Sequence, residues 1–261
     1  MNRYGLLLLA ALCVAPASAQ APKTAKSTTV VKSKKAAPPA KPVPPTGSAL
    51  MSKHVLASGG AAWLDVQNFT AKGTISIPAQ SITGTMEVFA KAPNKFAMKQ
   101  NIKGVGESSS GFDGSVGWSK DPFSGLRVLS GAELAALKAQ SSLSLRPAQW
   151  KGVYASAVLS GTVKVNGASA YKVKLTPKSG NPETQYFDVK TGLQVRSDQV
   201  VESPQGKIAV ESYLSDYRTV SGVKIPFKTR QLLGQIEVTI QFTELKVNTT
   251  VDDASFVKPK E

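Results

Sequence analysis

Short segments in which apolar residues occupy every second position run through most of the chain. The alternation is strictest near the C-terminus, where Ile236, Val238, Ile240 and Phe242 follow one another at spacings of two. A period of two places such residues on one face of a β-strand. Turn signals rather than helical segments join most of these strands, and Asn166–Gly167 is typical of a two-residue hairpin. The pattern therefore predicts an antiparallel sheet and an α+β, mostly β, fold.

The first three predicted strands show the same alternation, with glycine at inner positions. Their inward residues are Phe69, Ala71, Gly73, Ile75 and Ile77, then Ile82, Gly84, Met86, Val88 and Ala90, and then Phe96 and Met98 after a turn at Pro93–Asn94. Glycine within a strand commonly marks a bend, because it has no side chain at the point of close approach. Gly73 and Gly84 therefore mark positions at which the sheet can bend.

Two short helices are expected beside the sheet. Residues 48–62 carry apolar residues near helical spacing and end at Gly59–Gly60. A second helix is predicted to begin at Ser130 with a capping box, in which the Ser130 hydroxyl and the Glu133 carboxylate satisfy backbone amides. It places Leu134 and Leu137 against the sheet and ends before Arg146.

The residue counts exclude several kinds of site. The chain has one Cys and one His, so it cannot form an internal disulfide, a thiolate zinc site or a two-histidine metal site. No nucleophile motif accompanies His54, and we expect it to be a packed or solvent-facing side chain. The adjacent acids Asp252 and Asp253 are expected to form a turn or a cap. The prediction is a protein that is not an enzyme and that has no cofactor and no metal.

The first 19 residues have the features of a secretory signal peptide. Arg3 precedes an apolar run from Leu6 to Val14, and Ala17–Ser18–Ala19 supplies small residues at the cleavage spacing. The apolar run is shorter than the roughly 20 residues that span a membrane. We expect export to the periplasm with cleavage after Ala19.

Residues 20–47 differ in composition from the rest of the chain and are predicted to be a disordered linker that precedes a domain at 48–261. The segment is rich in proline and alanine and has no acidic residue. Its six positive charges are Lys23, Lys26, Lys32, Lys34, Lys35 and Lys41. Two interpretations stay open, a solvated spacer and an electrostatic tether to an anionic membrane surface. Nucleic acid is not an expected partner.

A series of short motifs resembles the outer-membrane lipoprotein-sorting (LolA/LolB-like) superfamily of bacterial exported domains. The motifs are Gly111–Gly114 with Gly117–Trp118, Leu129–Leu134, Tyr186–Asp188, Thr191–Leu193, Ser215–Arg218, Gly222–Phe227 and Val251–Phe256. The resemblance covers roughly residues 49–261. It implies an incomplete antiparallel β-barrel whose concave side is plugged by short helices. It also implies a periplasmic carrier or chaperone that holds a lipid or a lipoprotein acyl chain in an apolar cavity.

If the resemblance extends to function, the inward apolar residues are the candidates for contact with an acyl chain. The expected lining residues are Phe69, Ile75, Ile77, Met86, Val88, Phe96, Met98, Trp118, Leu134 and Leu137. An alternating apolar face is also what any filled core requires. The alternative is therefore a non-catalytic envelope interaction module with the same fold and a filled core, which binds a protein or polymer through its basic arm.

Overall fold

The computed structural model describes residues 44–143, 147–178, 181–203 and 206–260. Within these residues thirteen strands form one antiparallel sheet. The strands are β1 (Asn68–Ile77), β2 (Ile82–Lys91), β3 (Lys95–Ile102), β4 (Gly106–Phe112), β5 (Gly117–Asp121), β6 (Gly125–Val128), β7 (Tyr154–Val165), β8 (Ala168–Pro177), β9 (Glu183–Asp188), β10 (Gln194–Ser203), β11 (Gly206–Val220), β12 (Val223–Leu233) and β13 (Ile236–Val247). The predicted signal peptide and nearly all of the predicted linker lie outside the described residues.

The sheet consists of two meanders that meet at its centre. Its strand order is β6-β5-β4-β3-β2-β1-β13-β12-β11-β10-β9-β8-β7, so the first and last strands pair with each other. The sheet does not close into a barrel, because β6 and β7 form its two edges. This architecture confirms the predicted α+β, mostly β fold, a curved and incomplete antiparallel barrel.

Two-residue turns with positive φ connect several of the strands. Asn166 and Gly167 have φ values of 47° and 82°, and they join β7 to β8. Ser221 and Gly222, with φ values of 48° and 84°, join β11 to β12 in the same way. The turn at Asn166–Gly167 confirms the sequence prediction, because asparagine and glycine tolerate the left-handed region that tight hairpins need.

The in-strand glycines lie where neighbouring backbones come too close for a side chain. The pairing of β1 with β13 shifts by one residue between Lys72 and Gly73. A Cβ atom on Gly73 would lie 2.5 Å from the carbonyl oxygen of Gln241, and one on Gly84 would lie 2.4 Å from that of Asn101. A β-bulge bends and twists its strand, so the predicted bend at Gly73 is present.

Three short α-helices lie beside the sheet in the part of the chain that the structure describes. They are α1 (Gly47–Ala57), α2 (Gly131–Leu143) and α3 (Trp150–Val153), and a 3₁₀ helix at Gly60–Leu64 follows α1. The cap of α1 is Thr46, whose hydroxyl accepts a hydrogen bond from the Ala49 amide at 3.1 Å. None of the helices in the described segments is both long and apolar enough to cross a bilayer.

The predicted capping role of Glu133 is wrong. Both oxygens of its carboxylate accept hydrogen bonds from the Arg127 guanidinium, at 2.7 and 2.9 Å. Arg127 lies on β6, immediately before the helix. Its guanidinium offers two N–H donors to the two carboxylate oxygens, whereas a backbone amide offers only one. The ion pair therefore fastens the start of α2 to the edge strand.

The apolar core has two main parts on the concave side of the sheet. The larger part packs β1–β4, β12 and β13 against Trp63 and α2. The smaller part packs Leu50 and Met51 of α1 and Trp150 of α3 against β8 and β9. The helices thus cover the concave face, and the space between the two parts of the core forms the candidate site.

Candidate functional site

A cavity of about 250 Å³ lies between the concave face of the sheet and the helices. Its lining combines residues from both parts of the core, including Met51 of α1, Trp63 of the 3₁₀ helix and Trp150 of α3. The curved sheet forms one wall and the helical layer forms the other. Such a space can hold a guest that enters between them.

Five of the ten predicted lining residues border this cavity on the sheet side. They are Phe69, Met86, Val88, Phe96 and Met98. Val88 and Met98 are directly opposite each other across β2 and β3, and side chains in such pairs share one face. Ile240, Phe242 and Leu245 of β13 extend this wall. Flexible methionine side chains adapt readily to guests of different shape.

Four further predicted residues lie in the core but not at the cavity. Ile75 and Ile77 are each only 1% exposed and pack near the end of β1, away from the cavity lining. Leu134 and Leu137 of α2 pack over Gly117, where a Cβ atom would lie 2.6 Å from Leu134 Cδ1. Gly117 therefore leaves the space into which the helix fits.

The prediction that Trp118 lines the cavity is wrong. Trp118 is opposite Gly111, Gly111 is opposite Ala97, and Ala97 is opposite Phe89. All four therefore share one face of the sheet, and it is the face opposite to Phe96 and Met98. The Trp118 indole is buried by the C-terminal segment, and its Nε1–H donates to the carbonyl oxygen of Phe256 at 2.7 Å.

A row of polar side chains crosses the other half of the cavity wall, and sequence reasoning missed it. Gln185, Ser197, Ser212 and Gln231 lie on the four adjacent strands β9 to β12 and are directly opposite one another in register. All four line the cavity and are buried. Gln231 Nε2 donates to Ser212 Oγ at 3.3 Å. We call these four residues the polar row.

The signal for the polar row was present in the sequence. Val223, Ile225 and Phe227 alternate along β12, and continuing their period of two reaches Thr229 and then Gln231. Polar side chains are usually at the surface, so the residue type alone would assign Gln231 to the outward face. The continued period, rather than the residue type, gives the correct face.

A buried carboxylate lies at one end of the polar row. Glu183 is 7% exposed, and its Oε1 accepts hydrogen bonds from the Tyr154 hydroxyl and from Gln185 Nε2, the latter at 2.8 Å. Buried charges need such partners, because the loss of hydration is otherwise uncompensated. The arrangement anchors Gln185, and through it one end of the polar row.

His54 borders the cavity on the helical side. Its Nδ1 lies 3.3 Å from the Gly192 carbonyl oxygen, and its ring lies 5.2 Å from that of Phe187. A carbonyl oxygen can only accept, so Nδ1 carries the proton of the neutral ring. Burial lowers the pKa of His54 to about 4. This confirms that His54 is a packed side chain, and it is uncharged at neutral pH.

Three acidic residues outside the cavity lining have structural partners. Asp252 caps a short 3₁₀ helix through the Ala254 amide at 3.0 Å, and Asp253 pairs with Lys91 and Lys95 at 2.7 and 3.0 Å. Asp216 pairs with Arg218 at 2.7 Å. In the described part of the chain, no group of three or more His, Cys, Asp or Glu side chains could hold a metal ion.

Charge is scarce at the cavity. Among the described lining residues, Lys224 is the one with a permanent charge, and its side chain is exposed at the rim. The site is therefore a partly open, largely apolar space that contains the polar row. Its chemistry suits non-covalent binding of an apolar guest.

These features define an open half-barrel whose concave face is capped by helices over a cavity. Solved structures of other proteins share the architecture, and three of them are compared with this chain. One, a DUF1329 family protein from Desulfovibrio piger, matches with a TM-score of 0.55 and 14% identity over 81% of this chain and 97% of that chain. Another, a LolA superfamily protein from Nitrosomonas europaea, matches with a TM-score of 0.54 and 14% identity over 82% and 99%.

The third structure is a domain from Vibrio parahaemolyticus named as an outer-membrane lipoprotein-sorting protein. It matches with a TM-score of 0.51 and 12% identity over 80% of this chain and 95% of that chain. No protein-family model matches the chain, and a search of curated proteins finds no significant match. The chain therefore has the LolA/LolB-like fold that its motifs suggested, and at these identities the similarity concerns the fold alone.

Proposed function

We propose that the protein is a non-catalytic carrier that shelters an acyl chain of a lipid or lipoprotein within the bacterial envelope. The observation that carries this proposal is the cavity of about 250 Å³ on the concave face, walled by Met86, Val88, Phe96 and Met98. Burial of an acyl chain is favourable by about 0.8 kcal/mol per methylene.

The fold and the N-terminal sequence support the same proposal. Two structures with this fold are named as a LolA superfamily protein and as a lipoprotein-sorting domain. The predicted signal peptide of residues 1–19 would deliver the mature domain to the periplasm, where such guests occur. The basic residues of the linker at 20–47 would then hold the domain near anionic headgroups.

The size of the cavity has a mechanical consequence. Ligand pockets usually measure about 300–1,000 Å³, so the present space of about 250 Å³ is slightly below that range. A long acyl chain therefore requires the helical layer to move away from the sheet, or part of the chain to project from the rim. Lys224 at the rim is placed to meet an anionic group on the projecting part.

The proposal is tested by analysing the guest of the native protein. The mature protein is purified without detergent, extracted with organic solvent and examined by mass spectrometry. We expect lipid in near-stoichiometric amount, and we expect the delipidated protein to bind a fluorescent fatty-acid probe. An empty protein that also ignores the probe would contradict the carrier and favour the interaction module with the basic arm.

A pair of matched variants locates the guest. Val88→Phe adds volume to the cavity wall, whereas Thr85→Phe adds the same ring on the same strand at an exposed, outward position. We expect Val88→Phe to weaken probe binding at least tenfold and Thr85→Phe to leave it unchanged. Ile240→Phe, on β13 of the same wall, is a second variant that adds a ring to the cavity, for use if Val88→Phe does not fold. Equal binding by the wild type, Val88→Phe and Ile240→Phe would exclude this cavity.

The proposed role of the basic arm has a separate test. Removal of residues 20–43 deletes all six lysines of the arm. We expect the truncated domain to lose adhesion to vesicles rich in anionic lipid at low salt and to keep its affinity for the probe, because the arm and the cavity are different parts of the chain. High salt should abolish the difference in adhesion, since it screens charges. Unchanged adhesion would contradict the tether and show that the arm is a spacer.

A further inference from the structure

We propose that the cavity selects guests that carry a hydroxyl group within their apolar part, such as a hydroxylated acyl chain. In this proposal the polar row recognises the hydroxyl group through hydrogen bonds. The inference rests on the proposed carrier function and specifies its class of substrate. It is carried by one buried amide oxygen and by the register of the four polar side chains.

The amide oxygen of Gln231 has no partner among the described residues. Gln231 is 2% exposed and borders the cavity. Its Nε2 donates to Ser212 Oγ, but its Oε1 is buried without a hydrogen bond. A buried acceptor left unpaired is unfavourable and calls for a donor from elsewhere. Gln231 lines the cavity, so rotation of its side-chain amide brings this oxygen within reach of a hydroxyl on a guest held there.

The register indicates that packing alone does not require polar side chains here. The polar row is flanked on its two sides by Val173, opposite Gln185, and by Val238, opposite Gln231. Both valines are at most 1% exposed. The sheet thus accommodates a β-branched apolar residue at either end of the same row, and valine suits a strand better than glutamine does. The four polar residues thus lie within a row of the sheet that is apolar at both ends.

A hydroxyl group is the chemistry that matches this row best. It can donate to Gln231 Oε1 and accept from a serine hydroxyl at the same time. A carboxylate has no donor, and the amide oxygen and serine hydroxyls provide no cation to balance its charge. An unsubstituted acyl chain would leave Gln231 Oε1 unpaired. Methylenes on either side of the hydroxyl would contact the apolar wall at Met86 and Met98.

The test compares acids of equal length that differ in one oxygen atom. Stearic acid, 3-hydroxystearic acid and 12-hydroxystearic acid each compete with a fluorescent fatty-acid probe for the delipidated mature protein. We expect at least one hydroxy acid to displace the probe at a concentration at least tenfold lower than stearic acid. The two hydroxyl positions sample a guest bound with its hydroxyl near the rim and one bound deeper.

Two variants assign the preference to the polar row. Gln231→Leu should abolish the preference, bind stearic acid as well as the wild type does, and melt at a temperature no lower than the wild type. Gln235→Leu, at an exposed turn, is the matched control and should keep the preference. Ser212→Ala should reduce the preference and provides a second variant if Gln231→Leu does not fold.

The outcomes separate this inference from the carrier function. If the wild type binds stearic acid and both hydroxy acids equally, the selectivity is wrong and the carrier stands. If Gln231→Leu keeps the full preference, the polar row is not its origin and the inference is overturned. If none of the acids displaces the probe and the probe itself does not bind, both proposals fall.

Discussion

The indole Nε1–H of Trp118 donates a hydrogen bond to the backbone carbonyl of Phe256 at 2.7 Å, on the convex face of the sheet. The two side chains are 2% and 0% exposed. Phe256 also packs with Ala97 and Val251. The C-terminal segment thus forms a second core on the convex face, separate from the two parts of the core on the concave face. This second core explains why a tryptophan on the convex face is buried.

Phe256→Ala should lower the free energy of unfolding by about 3–5 kcal/mol, because it leaves a cavity in this second core. Urea denaturation followed by tryptophan fluorescence measures the change. Val257→Ala, at a side chain that is 51% exposed, is the control and should change the free energy by less than about 0.5 kcal/mol. If the guest lies on the concave face, probe binding at equal folded fraction should be unchanged in both variants. A loss of less than about 1 kcal/mol for Phe256→Ala would contradict the packing described.

The error at Trp118 shows what alternation can and cannot predict. In β2 and β3 the apolar residues mark the concave face, since most outward positions there are polar or charged, and the predicted faces are correct. In β5 the inward residue is Gly117, which has no side chain, while the outward Trp118 is covered by a segment 138 residues away in sequence. A local pattern carries no information about such distant cover.

The polar row was not predicted, although the inward face of Gln231 follows from local alternation. The faces of β12 follow from Val223, Ile225 and Phe227, and the same period places Gln231 inward. The alignment of Gln231 with Ser212, Ser197 and Gln185 depends on the register of four strands. Register is fixed by turns and bulges along the whole meander. The sequence therefore predicts the face on which Gln231 lies but not the side chains that lie beside it.

Gly84→Ala should destabilise the fold by about 1–3 kcal/mol, the usual range for overpacking. A Cβ atom at this position would lie 2.4 Å from the carbonyl oxygen of Asn101, and a backbone atom cannot move aside cheaply. Gly152→Ala in α3 is the matched control, because a Cβ atom there meets nothing within 4 Å. Thermal unfolding of the two variants should separate them clearly. Equal melting temperatures would contradict the close approach of β2 and β3.

The N-terminal boundary of the folded domain is predicted to lie between residues 43 and 46. Thr46 caps α1 through the Ala49 amide, and its carbonyl oxygen accepts from the Leu50 amide at 3.0 Å. Removal of residues 20–43 should therefore leave the melting temperature nearly unchanged. Removal of residues 20–47 should cost about 1 kcal/mol or more, because the cap is lost. Thr46→Ala in the full mature chain should reproduce about the same loss, and an equal melting temperature for both truncations would contradict the boundary.

The stability of the protein should fall as the pH decreases from about 6.5 towards 4, because of His54. Burial lowers the pKa of His54 in the folded state to about 4, whereas the unfolded chain has the ordinary value of 6.5. Within that range the unfolded chain binds a proton that the folded chain does not, so acid favours unfolding. The full shift corresponds to about 3 kcal/mol. His54 also faces a cavity that water can enter, so we expect a loss of about 1–2 kcal/mol.

His54 is the chain's single histidine, and urea midpoints measured between pH 5 and 7.5 therefore isolate it from the carboxylates. The variant His54→Gln keeps a polar side chain without a titrating group, and its midpoints should change little over this interval. A wild-type stability that is constant or that rises on acidification would show that the ring is protonated in the fold.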